Sequence, residues 1–459
     1  MNCLHAKARL LLLLAGGGSA VLAADLPPLT LPAGVGVNIH FNRGHTADLD
    51  RIAAAGFRFV RMDLGWEAIE RTRGQYDWSA PDELVGNLDR RGLRAILILD
   101  YSNPLYEGTV ATRNPVFGGG QKDTASPQHP ESIAAFARWA AAAASHFKGR
   151  RVIWEIWNEP NIFFWKPKPD AAQYTALALA TCRAVRAADP HATIIAPATS
   201  EVPLKFLEDF FAAGGLAQLD AVSVHPYRDY RKPPETAAED YAKLRALIQR
   251  YAPAGKKNLP IISGEWGYAT HTKGVSLETQ AAFIVRQQLA NLYIGVPLSI
   301  WYDWKNDGND AGEREHNFGT VLPDLTPKPA YTAVKTLTGE LGGFHLVKRL
   351  PAGHDADFVL LFASARGEEK LAVWTTGEAH EVSLGARLQR RARIQAVTGQ
   401  GERFGLDLAT DGGAALTASA GGSEQARIRY ESGRLTVSAG AAPLYVALNG
   451  VRLAAEPRP

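Results

Sequence analysis

"VIWEIWNEPN", residues 152–161, is an apolar run that carries two carboxylates, Glu155 and Glu159. Charged side chains are rarely buried without partners, so acids in such a run need a reason. The run follows a helix-like segment, "PESIAAFARWAAAAASHF" (130–147). Seven other stretches share its character: "GVGVNIHF" (34–41), "FRFVRMDLGW" (57–66), "RAILILDYSN" (94–103), "ATIIAPATS" (192–200), "LDAVSVHPY" (219–227), "LPIISGEWG" (259–267) and "VPLSIWYDW" (296–304). Helical stretches separate them. Near-continuous apolar strands alternating with helices indicate a parallel sheet covered on both faces. Eight such units predict an α/β fold, a (β/α)₈ TIM barrel over residues 33–340. A doubly wound open sheet is the competing reading. It would normally present a glycine-rich phosphate loop after its first strand, and neither G-x-G-x-x-G nor G-x-x-x-x-G-K-[ST] occurs there.

Past residue 342 the pattern changes. "DFVLLFASARG", "KLAVWTTG", "HEVSLG", "RARIQAVTG", "RLTVSAG" and "LYVALNG" are short strands with Gly and Asn turns and no helices between. This predicts a β-sandwich accessory domain over 342–459. At the other end, Lys7 and Arg9 precede an apolar run closing on "VLA" (21–23). Residues 1–23 therefore read as a signal peptide, and the run is too short to span a bilayer. A periplasmic or secreted protein is expected, with no stable membrane insertion after cleavage.

The 459 residues include 46% hydrophobic and 21% charged residues, with a formal net charge of +3. That is ordinary globular composition, and the near-neutral balance argues against nucleic acid as a partner. There are two cysteines, and Cys3 falls in the leader. Cys182 is then left without an internal partner and reads as a small core residue.

Active residues of a (β/α)₈ barrel sit at the C-terminal strand ends. Those ends supply Asn38 and His40; Arg61, Asp63 and Trp66; Asp100 and Tyr101; Asn158 and Glu159; His225 and Tyr227; Glu265 and Trp266; and Trp301, Trp304 and Asn306. The set holds carboxylates, amides, one arginine and many rings. It contains no Ser-His-Asp elbow, HExxH or CxxC. "DWKNDGNDAGER" (303–314) suggests a calcium loop, but aligning Gly308 puts Lys305 and Arg314 at ligand positions. No metal or cofactor is expected. Two carboxylates on separate strand ends fit glycoside hydrolysis, one as proton donor and one as nucleophile or base. Exposed rings beside them can stack on sugar faces. Glu155 lies deeper in the strand than Glu159 and reads as a structural partner.

"WNEPN" and "GEWG" resemble the clan A glycoside hydrolases, which carry an Asn-Glu pair on strand four and a second Glu on strand seven. "WEAIERTRGQYDW" (66–78) is similar to family 39, and "WYDWKNDG…EHNFGTV" (301–321) resembles the Psl-type exopolysaccharide endoglycosidases of biofilm operons. The resemblance implies Glu159 as acid/base and Glu265 as nucleophile. It implies Asn158 on the sugar 2-OH, Arg61 and Tyr227 supporting the nucleophile, and Trp301 as floor of the cleaved sugar's subsite. His40, Tyr101, His225, Trp266, Trp304 and Asn306 complete the expected substrate-binding set. The implied activity is retaining endo-β-glycosidase action on a bacterial exopolysaccharide, with polysaccharide synthesis or export machinery as a partner. Rival readings are an exo-acting β-xylosidase-like enzyme, a plant-polysaccharide endoglycanase and a non-catalytic carbohydrate-binding or export scaffold.

Overall fold

The computed structural model describes residues 25–113, 120–408, 416–420 and 426–454. The expected leader lies outside them. Eight parallel strands close into a barrel: β1 (Val35–Asn38), β2 (Phe59–Gly65), β3 (Arg94–Asp100), β4 (Ile153–Ile156), β5 (Thr193–Ser200), β6 (Ala221–His225), β7 (Ile261–Trp266) and β8 (Ser299–Trp301). Each strand pairs with its sequence neighbours, and β8 closes on β1. The eight apolar runs account for all eight strands. One addition is a small antiparallel hairpin, Thr109–Arg113 with Gly120–Thr124, in the segment after β3 that reads as loop in the sequence.

Strand alternation divides the core in two. Phe59, Ile96, Ile153, Ile195, Ala221, Ile262, Leu298 and Ile300 fill the barrel's lower interior. Branched and aromatic side chains of this kind form the packed layers of such barrels. Val60, Leu97, Leu99, Trp154, Ile156 and Ile194 point outward and join the apolar faces of the helices.

The C-terminal region is all antiparallel β packed over a core of its own, as expected. Among the described residues, nine strands between Phe344 and Leu453 form two ladders that face each other and are joined into one hydrogen-bonded sheet. The cause is a long strand, His380–Val397, which the sequence presents as two short ones. Its first part pairs with Arg434–Ala439, and its second with Leu444–Leu453 and Arg403–Leu408. The sheet folds over its own core, where Val359, Leu361, Leu371 and Val373 meet Val382, Leu384, Leu435 and Val437. The intervening residues Leu360, Phe362, Ala372 and Trp374 face the other way and join the barrel's core. Period-two alternation thus supplies both contacts from the same strands.

Polar anchors fix the junction. Arg286 clamps Glu235 through Nε at 2.7 Å and Nη2 at 2.8 Å, and the Trp374 indole N–H donates to the same carboxylate at 2.7 Å. Arg286 also donates to the Ala441 carbonyl at 3.1 Å. Both members of this ion pair are buried.

Candidate active site

Arg61 organises the barrel mouth. It projects inward from β2, 1% exposed, and is flanked by acids. A guanidinium carries five N–H donors and no acceptor. Here five partners take them. Nε bonds Glu155 Oε2 at 2.6 Å, Nη1 bonds Asn38 Oδ1 at 3.1 Å and Glu265 Oε2, and Nη2 bonds Asn158 Oδ1 at 2.8 Å and His225 Nε2 at 3.3 Å. Burial works against the charge, but Glu155 and Glu265 outweigh it, so the guanidinium pKa is raised. Glu155, the acid that looked out of place in an apolar strand, is therefore the base of this array. Its other oxygen accepts from Ser223 Oγ.

Glu265 ends β7 within "GEWG". Besides Arg61 it accepts from Tyr227 OH at 2.8 Å. Burial, with Glu265 next in importance, pushes the Tyr227 pKa well up, so the phenol stays a donor. Both glycines of the motif have a spatial reason. A Cβ on Gly264 would lie 2.3 Å from Ser223 Oγ and 3.1 Å from Glu155 Oε1. One on Gly267 would lie 1.7 Å from the Tyr302 carbonyl oxygen.

Glu159 lies past the end of β4. The strand stops at Ile156, and left-handed backbone at Trp157 (φ 67°) and Glu159 (φ 47°) turns the chain over the mouth. Trp157 packs outward while Asn158 and Glu159 face in. Burial lifts the Glu159 pKa to about 7, against the pull of Ser200, Arg61 and Arg314. Its Oε1 lies 3.1 Å from His225 Nδ1. Arg61 has only donors to offer, so His225 Nε2 is an acceptor and Nδ1 carries the hydrogen that points at Glu159. Burial depresses the His225 pKa to about 4, keeping the ring neutral. One oxygen of Glu159, one of Glu265 and a ring nitrogen of His225 lie within 4.8 Å of one another. Asn158 spends one amide hydrogen on Tyr101 OH at 3.1 Å, leaving the second for a ligand.

The remaining expected binding residues lie in several places. His40 stands at the rim, 3.2 Å from Asp307 Oδ1, with its ring 5.5 Å from that of Tyr302. Burial opposes its charge, but Asp307, Asp303 and Asp63 raise its pKa to about 9. Tyr101 is half-buried and stacks on Phe164. Trp301 is not at the mouth. It is fully buried in the outer core, beside Tyr268. The half-buried ring at this strand end is Tyr302, packed against Tyr227 and Phe318. Trp266 is buried under the Arg228 guanidinium, and Trp304 donates to Asp48 Oδ1 at 2.9 Å. Asn306 is buried and accepts from Lys328 at 3.3 Å. Trp266, Trp304 and Asn306 thus frame the loops rather than line the opening. Asn38, one of the strand-end candidates, and Ser223, which sequence reasoning did not place in the site, both belong to the Arg61 array. Small polar residues inside apolar strands were the available signal.

Among the described residues, two sets of side chains could meet a cation: Glu159, His225 and Glu265, and His40, Asp303 and Asp307. Arg61 already compensates the first and protonated His40 the second.

Residues 32–308 match the cellulase family, glycosyl hydrolase family 5. The chain belongs to that family. It is a clan A glycoside hydrolase with a family 39-like architecture. A β-xylosidase of Geobacillus stearothermophilus is 31% identical over 170 residues, 32% of this chain. The match spans 33% of that relative's length. A family 39 glycoside hydrolase from Bacteroides cellulosilyticus WH2 shares the fold with a TM-score of 0.72 at 22% identity, covering 92% of this chain and 81% of its own. A monomeric β-xylosidase from Caulobacter crescentus CB15 superposes with a TM-score of 0.62 at 17% identity, covering 94% and 98%. Both structural likenesses extend through the C-terminal sheet as well as the barrel.

Proposed function

We propose that this glycoside hydrolase is a retaining β-glycosidase that works by double displacement. The observation that carries the reading is the spacing of Glu159 and Glu265, whose facing oxygens lie within 4.8 Å. Retaining pairs stand about 5–5.5 Å apart, whereas inverting pairs need about 6.5–9.5 Å to admit a water. Glu265 attacks the anomeric carbon while Glu159 protonates the departing oxygen. Glu159 then takes a proton from water as the glycosyl-enzyme is hydrolysed. Arg61 and Tyr227 hold Glu265 ionised and aimed, because both donate to it. Burial keeps Glu159 protonated up to about pH 7, as a general acid requires.

For substrate we favour a bacterial exopolysaccharide cut internally, by a secreted or periplasmic enzyme working alongside polysaccharide synthesis or export machinery. The support is the resemblance of the segment after β8. An exo-acting β-xylosidase reading is supported by the curated relative and by the fold shared with the C. crescentus enzyme. Digestion of a panel of xylans, plant glucans and purified bacterial exopolysaccharides separates these. Mid-sized oligosaccharides from an exopolysaccharide support endo action, whereas single xylose units support the other reading. NMR of the first product formed reads the anomeric outcome. An inverted product, or wild-type-like activity in both Glu159→Gln and Glu265→Gln, refutes the mechanism.

A further inference from the structure

We propose that Phe163 and Phe164 continue from Tyr101 as a stacking platform of an outer subsite, and that it takes the apolar face of a neutral sugar ring. This rests on the glycosidase reading and adds two residues that the double displacement does not use. Four apolar residues, Ile162 to Trp165, follow the Glu159 motif directly. The Ile162 N–H donates to the Glu159 carbonyl at 3.2 Å, and the Trp165 N–H to the Ile162 carbonyl at 3.0 Å. Two tight turns thus carry the chain out from the acid. Trp165 is the anchor of this loop. It is fully buried, packs on Trp157 and Tyr174, and donates its indole N–H to Gln173 Oε1 at 3.1 Å. Phe163 and Phe164 stay half-buried, and neither packs into the core that Tyr101 joins.

The rings run outward from the catalytic mouth. Tyr101 OH accepts from Asn158, whose other amide atom is held by Arg61. The Phe164 ring follows, 5.8 Å from that of Tyr101 with the planes 15° apart, and the Phe163 ring lies 4.4 Å beyond it. Ring carbons touch at about 3.5–4.0 Å. Near-parallel rings 5.8 Å apart are therefore slid past each other, and each leaves part of a face uncovered. Ring faces carry partial negative charge and attract the C–H face of a pyranose, which also removes apolar area from water. The loop is fixed before any ligand arrives. Lys166 N–H donates to Ser126 Oγ at 2.7 Å, and the Lys166 carbonyl accepts from Ser126 N–H at 3.1 Å. A platform pinned in this way loses little freedom on binding. The Lys166 ammonium, 5.9 Å from the Phe163 ring centre, is already paired with Asp123 at 2.9 Å. Its charge is compensated, which suits an uncharged sugar.

The test uses the full chain with Glu265→Gln, which binds without turnover. Xylan, mannan and β-glucan oligosaccharides of two and six rings are titrated by calorimetry. A six-ring chain of at least one series is expected to bind. Phe164→Leu keeps an apolar side chain but removes the flat face. It should weaken the six-ring chain about five- to tenfold and the two-ring ligand less than about twofold. Phe164→Tyr keeps the face and should lie near the parent. Where Phe164→Leu does not fold, Phe163→Leu decides, with the same loss expected. Parental affinity in the leucine variant, equal weakening of short and long ligands, a loss in Phe164→Tyr as large as in Phe164→Leu, or no binding of any chain overturns the proposal. Hydrolysis of the same chains by the wild type judges the glycosidase reading separately.

Discussion

His225 joins the two catalytic carboxylates through one ring, and its tautomer makes a prediction that can fail. The ring is fully buried, takes a hydrogen bond from Arg61 on Nε2, and presents Nδ1–H to Glu159. A hydrogen bond given to a carboxylate stabilises its ionised form and lowers its pKa. Replacing His225 by Gln keeps an acceptor near Arg61 but withdraws the donor from Glu159. Hydrogen bonds to charged groups are worth about 1.5–3 kcal/mol, and one pKa unit corresponds to about 1.4 kcal/mol. The Glu159 pKa should rise by about one unit or somewhat more, from about 7 toward 8. His225→Asn can place an amide N–H near the Nδ1 position and should shift it little. The assay is kcat/KM against pH, whose alkaline limb reports the acid of the free enzyme. The limb should move up in His225→Gln and stay near 7 in His225→Asn. A downward shift in His225→Gln would mean that Glu159 donates to the ring, and would refute the tautomer argument. An unmoved limb would refute the coupling.

Other outcomes follow from the same geometry. Glu159→Gln should lower kcat about 10²–10⁴-fold and also stabilise the fold at alkaline pH. The wild-type carboxyl binds its proton more tightly folded than unfolded, so its contribution to stability falls as pH rises between about 4.5 and 7. Denaturant melts should therefore show a variant advantage of about 3 kcal/mol above pH 7 and almost none below pH 4.5, from the same shift. Arg61→Met leaves Glu155 and Glu265 buried without a counter-charge and should cost about 3–5 kcal/mol in the same melts. Gly264→Ala drives a methyl into Ser223 and Glu155 and should cost about 1–3 kcal/mol and lower kcat. Glu235→Leu strips Arg286 and Trp374 of their shared acceptor, and a loss of about 3–5 kcal/mol is expected by thermal or chemical melting.

The barrel was legible because parallel strands buried on both faces leave unbroken apolar runs that helices punctuate. The same property hid strand parity. In "VPLSIWYDW" nothing alternates, so the sequence does not say whether Trp301 or Tyr302 faces inward. Ile300 in the barrel interior settles it and sends Trp301 outward. Glu155 could be recognised as a partnered acid, but not its partners, because Arg61 and Ser223 reach it from separate strands. The C-terminal strands could be read one at a time, yet the continuity of His380–Val397 was invisible, because Gly385 inside it reads as the turn that ends a strand.

The junction at Glu235 has a bearing on heredity. Glu235 lies ten residues past His225, between the β6 strand end and the next long helix, and it holds an arginine of the barrel and a tryptophan of the sheet at once. A sheet borrowed from an unrelated gene would have to bring its own indole to that carboxylate and its own alternating apolar face to the helices. Few donors could. A shared carboxylate of this kind favours inheritance of barrel and sheet as one unit, because a cut at the seam strands Arg286 and Glu235 on one side and Trp374 on the other.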